Sequence, residues 1–451
     1  MEDVEEKEAK IFCGTCPDSH CGKLLYFLPE LSKEVECSNC GQQHPTDSLL
    51  NVKETDSSGA AVCNLLKSLL FDYSASKKGT ELVKVKGLSN YHCKLVSPLL
   101  TSYGMDKGSG KAVLLSELGQ RDVFDCSVLG NRAFLIEKEH LEIDGYGRDK
   151  TGSLRYLKAT LERIEKANDC KESLVPLHAD GDGHCLVHAV SKAVVGRELL
   201  WHSLRQNLRD HLQEENDKYQ ALFRDFINND EWNEIIAEAD PEFYPETNEP
   251  FGLRNMHVFG LANVLHRPII LLDNTEGMES SGDYSGTFLP ALLPPDKCKS
   301  QGIINKPLVI AWSSSARNHY VPLVGIKDSP LPKIPKFILP KAWGVPNELV
   351  AKYVEFDDNG CCIIGGSRSL PESYIERLVS AMDEVFFEKH KVCPQLVADV
   401  KQFVYKSAHA VGISNSWARV TEFTREAVEA SMLYRCLSCR AVQEADEMVL
   451  F

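Results

Sequence analysis

One cysteine stands where a polar loop gives way to an apolar run, a position suited to nucleophilic catalysis. Residues 178–184 hold two glycines and two aspartates, and Cys185 then opens the apolar run 186–195, which we expect to be a buried helix. A helix N-terminus carries partial positive charge that stabilises a thiolate, and its unpaired N–H groups can hold a developing oxyanion. The pattern therefore predicts Cys185 as a catalytic nucleophile.

A cysteine nucleophile needs a base to take its proton, and His319 is the best candidate. It lies between two short apolar runs, 307–312 and 320–324, which we predict to be buried strands. A rigid sheet could then hold its ring, and a base on a strand far from the nucleophile in sequence is the general arrangement of cysteine proteases. His184 and His188 are rivals, although His188 would lie three residues into the helix and is expected to point away from the loop.

The residues alone leave two interpretations open. Cys185 and His319 could form a catalytic pair, or the cysteine could be an inert buried residue and the histidine a surface or structural one. Residue types and spacing do not decide between these interpretations.

The segment around Cys185 resembles the nucleophile motif of the ovarian-tumour (OTU) family of deubiquitinases. The family pattern is roughly Asp-Gly-x-Cys-Leu, which residues 182–186 match, and its base opens a strand in a His-aromatic pair, matched by His319 and Tyr320. The chain is similar in particular to the valosin-containing-protein-interacting branch of that family. The similar stretches are residues 87–94 (GLSNYHCK), 180–189 (DGDGHCLVHA), 261–270 (LANVLHRPII) and 341–346 (KAWGVP), and the resemblance extends from Cys16 to Cys439.

The resemblance implies a reaction and a set of roles. The reaction is hydrolysis of the isopeptide bond between the ubiquitin C-terminus and a lysine, by a ubiquitinyl hydrolase that needs no cofactor for catalysis. Cys185 would attack, and His319 would take its proton and later protonate the leaving amine. Asp182 corresponds to the aspartate of the nucleophile motif and is expected to shape the loop that forms the oxyanion hole.

One position departs from the family pattern. Many OTU enzymes place Asn or Asp two residues after the histidine, to orient its ring, whereas this chain has Val321 there and Pro322 next. Asn318 is the nearest substitute, but on a regular strand its side chain would point to the face opposite His319. An acidic residue from elsewhere in the fold is the other candidate.

Three functional readings follow from these residues. The first is an active deubiquitinase, favoured by the presence of both Cys185 and His319. The second is a catalytically inactive ubiquitin-binding scaffold of OTU fold, kept open by the missing residue after His319. The third, a papain-like protease of general substrates, predicts cleavage of unstructured peptides.

Two cysteine pairs near the N-terminus predict a structural zinc site. Cys16 and Cys21, and then Cys37 and Cys40, each end in Cys-Gly, and fifteen residues separate the pairs. Four thiolates satisfy a tetrahedral zinc site, and so short a segment would draw its folding energy from the metal. Cys13 is an alternative partner for Cys16, and the weaker rival ligands are His20 and His44. Reduced surface thiols are the alternative to zinc.

A further pair, Cys436 and Cys439, supplies only half of a zinc site. In the resembled branch the chain continues well past this point, so we expect a truncated form or short homologue in which the half-site is empty.

Composition excludes some classes of protein. Of 451 residues, 43% are hydrophobic and 25% are charged, the balance of a globular protein. No apolar run approaches the roughly 18 residues of a membrane span, and residues 1–10 lack the basic start and apolar stretch of a secretory signal. A net charge of −15 argues against a broad nucleic-acid surface. Sixteen cysteines in a chain of this kind suggest metal ligands and buried thiols more than disulfides.

The elements around these residues predict an α/β (α+β) protein with an OTU-type cysteine-protease fold. We predict a zinc-ribbon-like module at 11–45, a mixed region at 60–169, the OTU catalytic domain at 170–326, a proline-rich linker at 327–346 and a mostly helical region at 347–451. Within them, apolar spacing predicts helices at 153–167 and over 200–228, and strands at 268–272, 307–312 and 320–324.

Partners and location follow from the resemblance and the composition. The expected partners are ubiquitin and polyubiquitin chains. The branch name adds valosin-containing protein, whose binding region is expected beyond the OTU part. We expect a cytoplasmic location, with the nucleus or the periphery of the endoplasmic reticulum and Golgi as further sites.

Overall fold

The structure is a computed structural model of the chain, and it describes most residues between 12 and 398. Two compact units are present: Met1–Lys84 with Asp383–Phe451, and Val85–Met382. The described residues are 12–27, 29, 33–37, 39–55, 84–85, 88–143, 145–167, 174–243, 252–280, 282–366, 368–390, 394, 395 and 398.

The first unit contains a small cysteine-bearing β structure. Strand β1 (Phe12–Thr15) pairs with β2 (Leu24–Phe27) and β5 (Leu50–Glu54), and β3 (Glu34–Glu36) pairs with β4 (Gln43–Pro45), all antiparallel. Its core holds only a handful of apolar side chains beside two of the cysteines: Leu25, Phe27, Val35 and Leu49, with Cys16 and Cys37. A core this small gives little hydrophobic stabilisation, as expected for a metal-dependent module.

The second unit is built on a mixed sheet. The strand order is β10-β17-β16-β12-β13, with β11 also pairing with β17. Pairing is parallel for β10 with β17 and for β12 with β16, and antiparallel elsewhere. The strands of this sheet are β10 (Leu135–Ile136), β11 (Val175–Pro176), β12 (Ile269–Leu272), β13 (Gly286–Phe288), β16 (Leu308–Trp312) and β17 (Tyr320–Ile326).

Short two-stranded elements and helices complete this description. The strands are β6 (Lys84–Val85), β7 (Leu88–Ser89), β8 (Tyr103–Met105), β9 (Ala112–Leu114), β14 (Lys299–Ser300), β15 (Ile303–Ile304), β18 (Lys333–Pro335) and β19 (Cys361–Ile363). The helices are α1 (Asn90–Leu100), α2 (Ser153–Ala167), α3 (Cys185–Val195), α4 (Trp201–Glu214), α5 (Asn216–Phe223), α6 (Asn229–Glu238), α7 (Asn255–Val264), α8 (Thr275–Glu279), α9 (Val350–Tyr353) and α10 (Glu372–His390). Among the described residues, no helix is both long and apolar enough to cross a membrane.

Both faces of the central strands are covered, which explains their continuous apolar sequences. Every residue of β12 and β16 is buried. One face joins the apolar stripe of α2 in the main core, through side chains such as Ile270, Val309 and Val321. Helix α3 packs on β16 and β17. Strands that are buried on both faces have continuous apolar sequences without alternation. The sequence therefore predicted the positions of these central strands well.

The predicted elements are confirmed, with adjusted ends. Helix α2 spans the predicted 153–167, and α3 ends where Gly196 adopts a left-handed conformation (φ 73°). Only glycine enters this region without a steric cost, which makes it the usual residue after a helix end. The apolar pattern over 200–228 corresponds to two helices, α4 and α5.

The proline-rich segment 327–346 is part of the packed structure. Strand β18 within it pairs with β19, and the side chains of Ile334 and Ile338 lie in the main core. These residues therefore do not form the separate linker that was predicted at 327–346. Beyond it, α9, β19 and α10 occupy the described part of 347–451, and the pair Cys436 and Cys439 lies outside the described residues. The predicted mixed α/β class is confirmed.

Candidate active site

Helix α3 begins at Cys185 and surrounds its sulfur with backbone donors. The backbone N–H groups of Cys185, Leu186 and Tyr320, the last on β17, lie close enough to the sulfur to lower the pKa of the thiol. His184, the residue before the helix, makes no side-chain hydrogen bond to the first turn. Gly183 adopts a left-handed φ of 88°, which lets the loop turn into the helix. The sulfur thus lies beside the residue that follows His319.

The Cys185 thiol is protonated at neutral pH in the resting protein. Burial raises its pKa to about 11, an effect that the nearby carboxylate of Asp182 reinforces and the backbone donors only partly offset. The side chain is 5% exposed. A thiol of this kind reacts only when a base removes its proton as it attacks.

His319 is arranged to be that base. It immediately precedes β17, and a Cβ atom placed on Gly181 would lie 3.6 Å from its Nδ1 atom, so the ring lies over the nucleophile loop. The backbone carbonyl of Ala179 lies near the ring and raises its pKa. Burial and the neighbouring charge of His178 lower the pKa of His319, outweighing Asp149 and Asp180. The ring is therefore neutral at physiological pH and able to accept a proton.

The His319 ring has neighbours in the nucleophile loop. Asn318, the nearest substitute in sequence, is exposed, whereas the Ala179 carbonyl lies near the ring and raises its pKa. Among the carboxylates that act on the ring, the buried Asp149 has the largest effect. In place of the side chain expected two residues after His319, a backbone carbonyl and a carboxylate more distant in sequence act on the ring.

Asp182 ties the loop to three partners. Its Oδ1 accepts from the His184 backbone N–H at 3.2 Å and lies 2.8 Å from His188 Nε2, and its Oδ2 accepts from Lys94 Nζ at 2.7 Å. Buried cations and donors hold the pKa of Asp182 well below its ordinary value, although burial opposes this. The carboxylate therefore stays ionised and holds the turn just before Cys185, whereas its part in shaping an oxyanion hole stays a prediction.

The two rival histidines make other contacts. Our expectation that His188 points away from the loop is wrong, because its fully buried ring contacts Asp182. One turn of helix brings residue 188 back over residue 184, so the ring reaches the loop that precedes the helix. His184 Nδ1 accepts from Arg205 at 2.6 Å, and its ring packs on Trp201 with centroids 4.5 Å apart.

Sequence reasoning missed the buried charges beneath the loop. Lys94, Asp180, Glu198 and His178 form a connected set of ion pairs there. A signal was present, since Lys94 ends the stretch 87–94 that resembles the valosin-containing-protein-interacting branch. Its role could not be read from sequence because its partners lie 86 and 88 residues away.

The loop that carries His319 has its own anchor. Arg317 adopts a left-handed φ of 49°, uncommon for a residue with a side chain. Its Nε atom donates to the buried Asp273 at 2.7 Å, and its guanidinium lies 3.8 Å from the centre of the Tyr284 ring. These contacts hold a strained backbone two residues before the base.

In the first unit, the four predicted cysteines come together. The sulfurs of Cys16, Cys21, Cys37 and Cys40 all lie within 4.8 Å of one another, a group that could hold a metal ion. The Cys21–Cys37 and Cys16–Cys40 sulfur pairs are 3.4 and 3.8 Å apart, near the roughly 3.8 Å edge of a tetrahedron with Zn–S bonds of about 2.3 Å. The arrangement therefore fits tetrahedral zinc.

The rival ligands stand in different relations to this cluster. Cys13 lies in β1, opposite Tyr26 and Lys53, and is not one of the four clustered cysteines. His44 Nε2 lies 3.2 Å from Cys16 Sγ, beside the cluster. Gly22 and Gly41 have φ values of 59° and 71°, so the glycine after each knuckle provides the left-handed turn expected of it.

Comparison with known proteins agrees with this geometry. Residues 180–320 match the family described as OTU-like cysteine protease, and residues 2–169 match the family described as VCIP135 N-terminal. The human and mouse proteins named "Deubiquitinating protein VCPIP1" are each 54% identical to the chain, over 98% of its length and 36% of their own. Human "Tumor necrosis factor alpha-induced protein 3" is 33% identical over 39% of the chain and 25% of its own length.

The chain therefore spans about a third of the length of the VCPIP1 proteins that it matches. The OTU match contains both Cys185 and His319, and the N-terminal match contains Lys94 and the four clustered cysteines. The chain accordingly contains an OTU-like cysteine-protease domain and an N-terminal domain of the VCIP135 type.

Proposed function

We propose that this chain is a deubiquitinating cysteine protease that hydrolyses isopeptide bonds at the C-terminus of ubiquitin. One observation carries the proposal: Cys185 opens α3, and the His319 ring lies over the loop that leads into this helix, with Nδ1 3.6 Å from the Cβ position of Gly181. The names of the relatives supply the substrate class, because VCPIP1 is called a deubiquitinating protein.

The geometry supports a two-step mechanism. As Cys185 Sγ attacks the carbonyl carbon of the terminal ubiquitin glycine, His319 takes the thiol proton, and the new oxyanion is held by N–H groups at the start of α3. Collapse breaks the C–N bond, and His319 returns the proton to the lysine amine. A water molecule, deprotonated by His319, then hydrolyses the thioester and regenerates the thiol.

We further propose that Cys16, Cys21, Cys37 and Cys40 hold a structural Zn²⁺. The four sulfurs are close enough for tetrahedral coordination, and the apolar core around them is small. When bound, the ion would supply folding energy to this segment and no chemistry to the reaction.

Partner and location are further proposals. Polyubiquitin chains are the proposed substrates, and valosin-containing protein is proposed as a partner because of the resemblance to its interacting branch. A cytoplasmic or nuclear location is supported by the cysteines, since none of those in the described ranges is disulfide-bonded.

A ubiquitin probe with a C-terminal electrophile tests the assignment. Wild type and Cys298→Ala are expected to form a covalent adduct with the probe, and Cys185→Ala is not. Cys298 is a matched control because burial likewise raises its pKa, to about 12. Labelling that survives Cys185→Ala would overturn the choice of nucleophile.

Cleavage assays separate the alternatives. A panel of ubiquitin dimers of every linkage is expected to include substrates that wild type cuts and Cys185→Ala does not. Labelling by the probe without cleavage of any dimer would favour the inactive scaffold. Cleavage of an unstructured peptide such as casein would favour a general protease.

A further inference from the structure

A buried ammonium from helix α1 reaches the nucleophile loop. Ser89 caps α1 by accepting from the backbone N–H of His92, which fixes the first turn of the helix. Lys94 follows in the next turn, with a side chain only 6% exposed. Its backbone carbonyl accepts from Trp201 Nε1 at 3.0 Å, so the helix is anchored on both sides of this residue.

The Lys94 ammonium has three carboxylates around it. Its Nζ atom lies 2.7 Å from Asp180 Oδ2, 2.7 Å from Asp182 Oδ2 and 3.7 Å from Glu198 Oε2. All three acids are themselves largely buried, with side chains 10%, 15% and 0% exposed. The ammonium donates hydrogen bonds to the two aspartates, and it attracts Glu198 from beyond hydrogen-bond distance.

The two aspartates define the loop that serves both catalytic groups. Between them lies Gly181, whose Cβ position is 3.6 Å from His319 Nδ1, and just before them lies Ala179, whose carbonyl raises the pKa of His319. Just after them the chain enters the helix at Cys185. The distance between Asp180 and Asp182 therefore governs where the base is held relative to the nucleophile.

We propose that Lys94 is a positioning residue of the active site: its ammonium holds Asp180 and Asp182 together and thereby sets the loop over which the His319 ring lies and which delivers Cys185. The inference rests on the proposed deubiquitinase function. Helix α1 belongs to the region matched by the VCIP135 N-terminal family. Under this proposal, α1 is a part of the catalytic machinery of the OTU region.

Neutralising the buried carboxylates is not enough to explain why the Lys94 ammonium lies against both loop aspartates. A second buried lysine, Lys192, lies 3.8 Å from Glu198 and donates to the carbonyl of His178. Lys94 contacts both loop aspartates directly. Loss of Lys94 would leave two adjacent carboxylates facing one another, and their repulsion would open the loop.

The test compares Lys94→Met, Lys94→Arg and wild type on ubiquitin carrying a C-terminal fluorophore. Lys94→Met is expected to lower kcat about 100-fold with KM within about threefold, because a displaced base slows chemistry more than binding. Lys94→Arg, which keeps the charge and donors, is expected to restore kcat to within about tenfold of wild type.

Arg267→Lys is the control for lost stability. Arg267 is fully buried and donates to backbone carbonyls that lie outside the nucleophile loop, including those of Arg132 and Lys306. This variant is expected to melt at a lower temperature with kcat within about twofold of wild type, since no loop contact changes.

If Lys94→Met does not fold, a double variant in which both members of the Lys94–Asp180 pair are neutral tests whether Lys94 positions the loop. Lys94→Gln combined with Asp180→Asn lowers the buried charge, and its kcat is compared with that of Asp180→Asn alone. A further loss of about tenfold or more supports positioning by Lys94. Equal values, or a folded Lys94→Met with kcat within twofold of wild type, would overturn the inference. A wild-type protein that neither reacts with the ubiquitin probe nor cuts any dimer would instead overturn the proposed function.

Discussion

The cysteine cluster of the first unit and the nucleophile loop of the second both place cysteines on glycine turns, but they are held in different ways. In the cluster, Gly22 and Gly41 follow the knuckle cysteines, and the four sulfurs face one another. In the loop, Gly183 precedes Cys185, and a single sulfur faces backbone amides. Similar local turns therefore gather four sulfurs in one case and set a single sulfur at the start of a helix in the other.

The difference lies in how far apart the supporting residues are along the chain. The cluster is assembled by residues 16–40 and a small core of its own. The loop depends on Lys94, Asp149 and His319, which come from three distant parts of the sequence. A site whose residues lie close together in the sequence can be predicted from their spacing. A site that depends on tertiary contacts between distant residues cannot.

The largest expected effect breaks the catalytic pair. His319→Ala is expected to lower kcat by about 10²–10⁴-fold, the usual contribution of a general base, as measured with fluorogenic ubiquitin. His140→Ala, a half-buried histidine paired with Glu137, is the control and should keep wild-type kcat. Full activity in His319→Ala would place the base elsewhere.

The next prediction separates the two regions. Cys37→Ala is expected to reduce bound zinc from about one ion per chain to none, because three thiolates no longer close the tetrahedron. Amide exchange within 12–55 should then quicken about 100-fold or more, since metal binding supplies the folding energy there. Exchange in β16 and β17 should be unchanged, because those strands have their own core.

Zinc content is read by elemental analysis and exchange by mass spectrometry. Cys13→Ala is the matched control, since that buried cysteine is not among the four clustered sulfurs, and it should retain zinc. Zinc retained by Cys37→Ala would contradict the assigned ligand set.

A smaller effect is expected at the anchor of the base-bearing loop. Arg317→Ala should lower kcat by about tenfold, because the strained turn before His319 would relax once Asp273 is released. Arg209→Ala is the control: it breaks a comparable half-buried ion pair, to Asp240 at 2.6 Å, outside the loop. Equal kcat values for the two variants would show that Arg317 serves stability alone.

The smallest effect concerns the dependence of stability on pH. Burial disfavours the charged form of His178, but Asp149 and Asp180 outweigh it and raise the His178 pKa to about 9. Because this lies above the ordinary value of about 6.5, the stabilisation is complete below pH 6.5 and is lost as the pH rises through about 9. We expect on the order of 2 kcal/mol.

Unfolding in urea at pH 6 and at pH 9.5 measures this contribution. The fall in the free energy of unfolding between these pH values should be smaller in His178→Gln than in wild type, because the variant has no imidazolium to lose. An equal fall in both proteins would exclude His178 as the titrating group.

Several features of this protein were determined by the sequence itself. The apolar runs of β12, β16 and β17 fixed the central strands, since a strand buried on both faces has to be apolar throughout. Two Cys-Gly knuckles predicted the metal-ligand set, because zinc geometry needs thiolates at short spacing. The nucleophile motif led to Cys185 and His319, whose assigned roles remain predictions.

Other features only the tertiary structure decided. Sequence did not show that Lys94 lies beneath the loop, that the His319 ring lies over Gly181, or that Ile334 of a proline-rich segment is in the core. Nor did it place His188 against Asp182. The physical reason is shared: each depends on a partner brought close by folding, and the free energy of a buried charge or hydrogen bond depends on that partner more than on the residue itself.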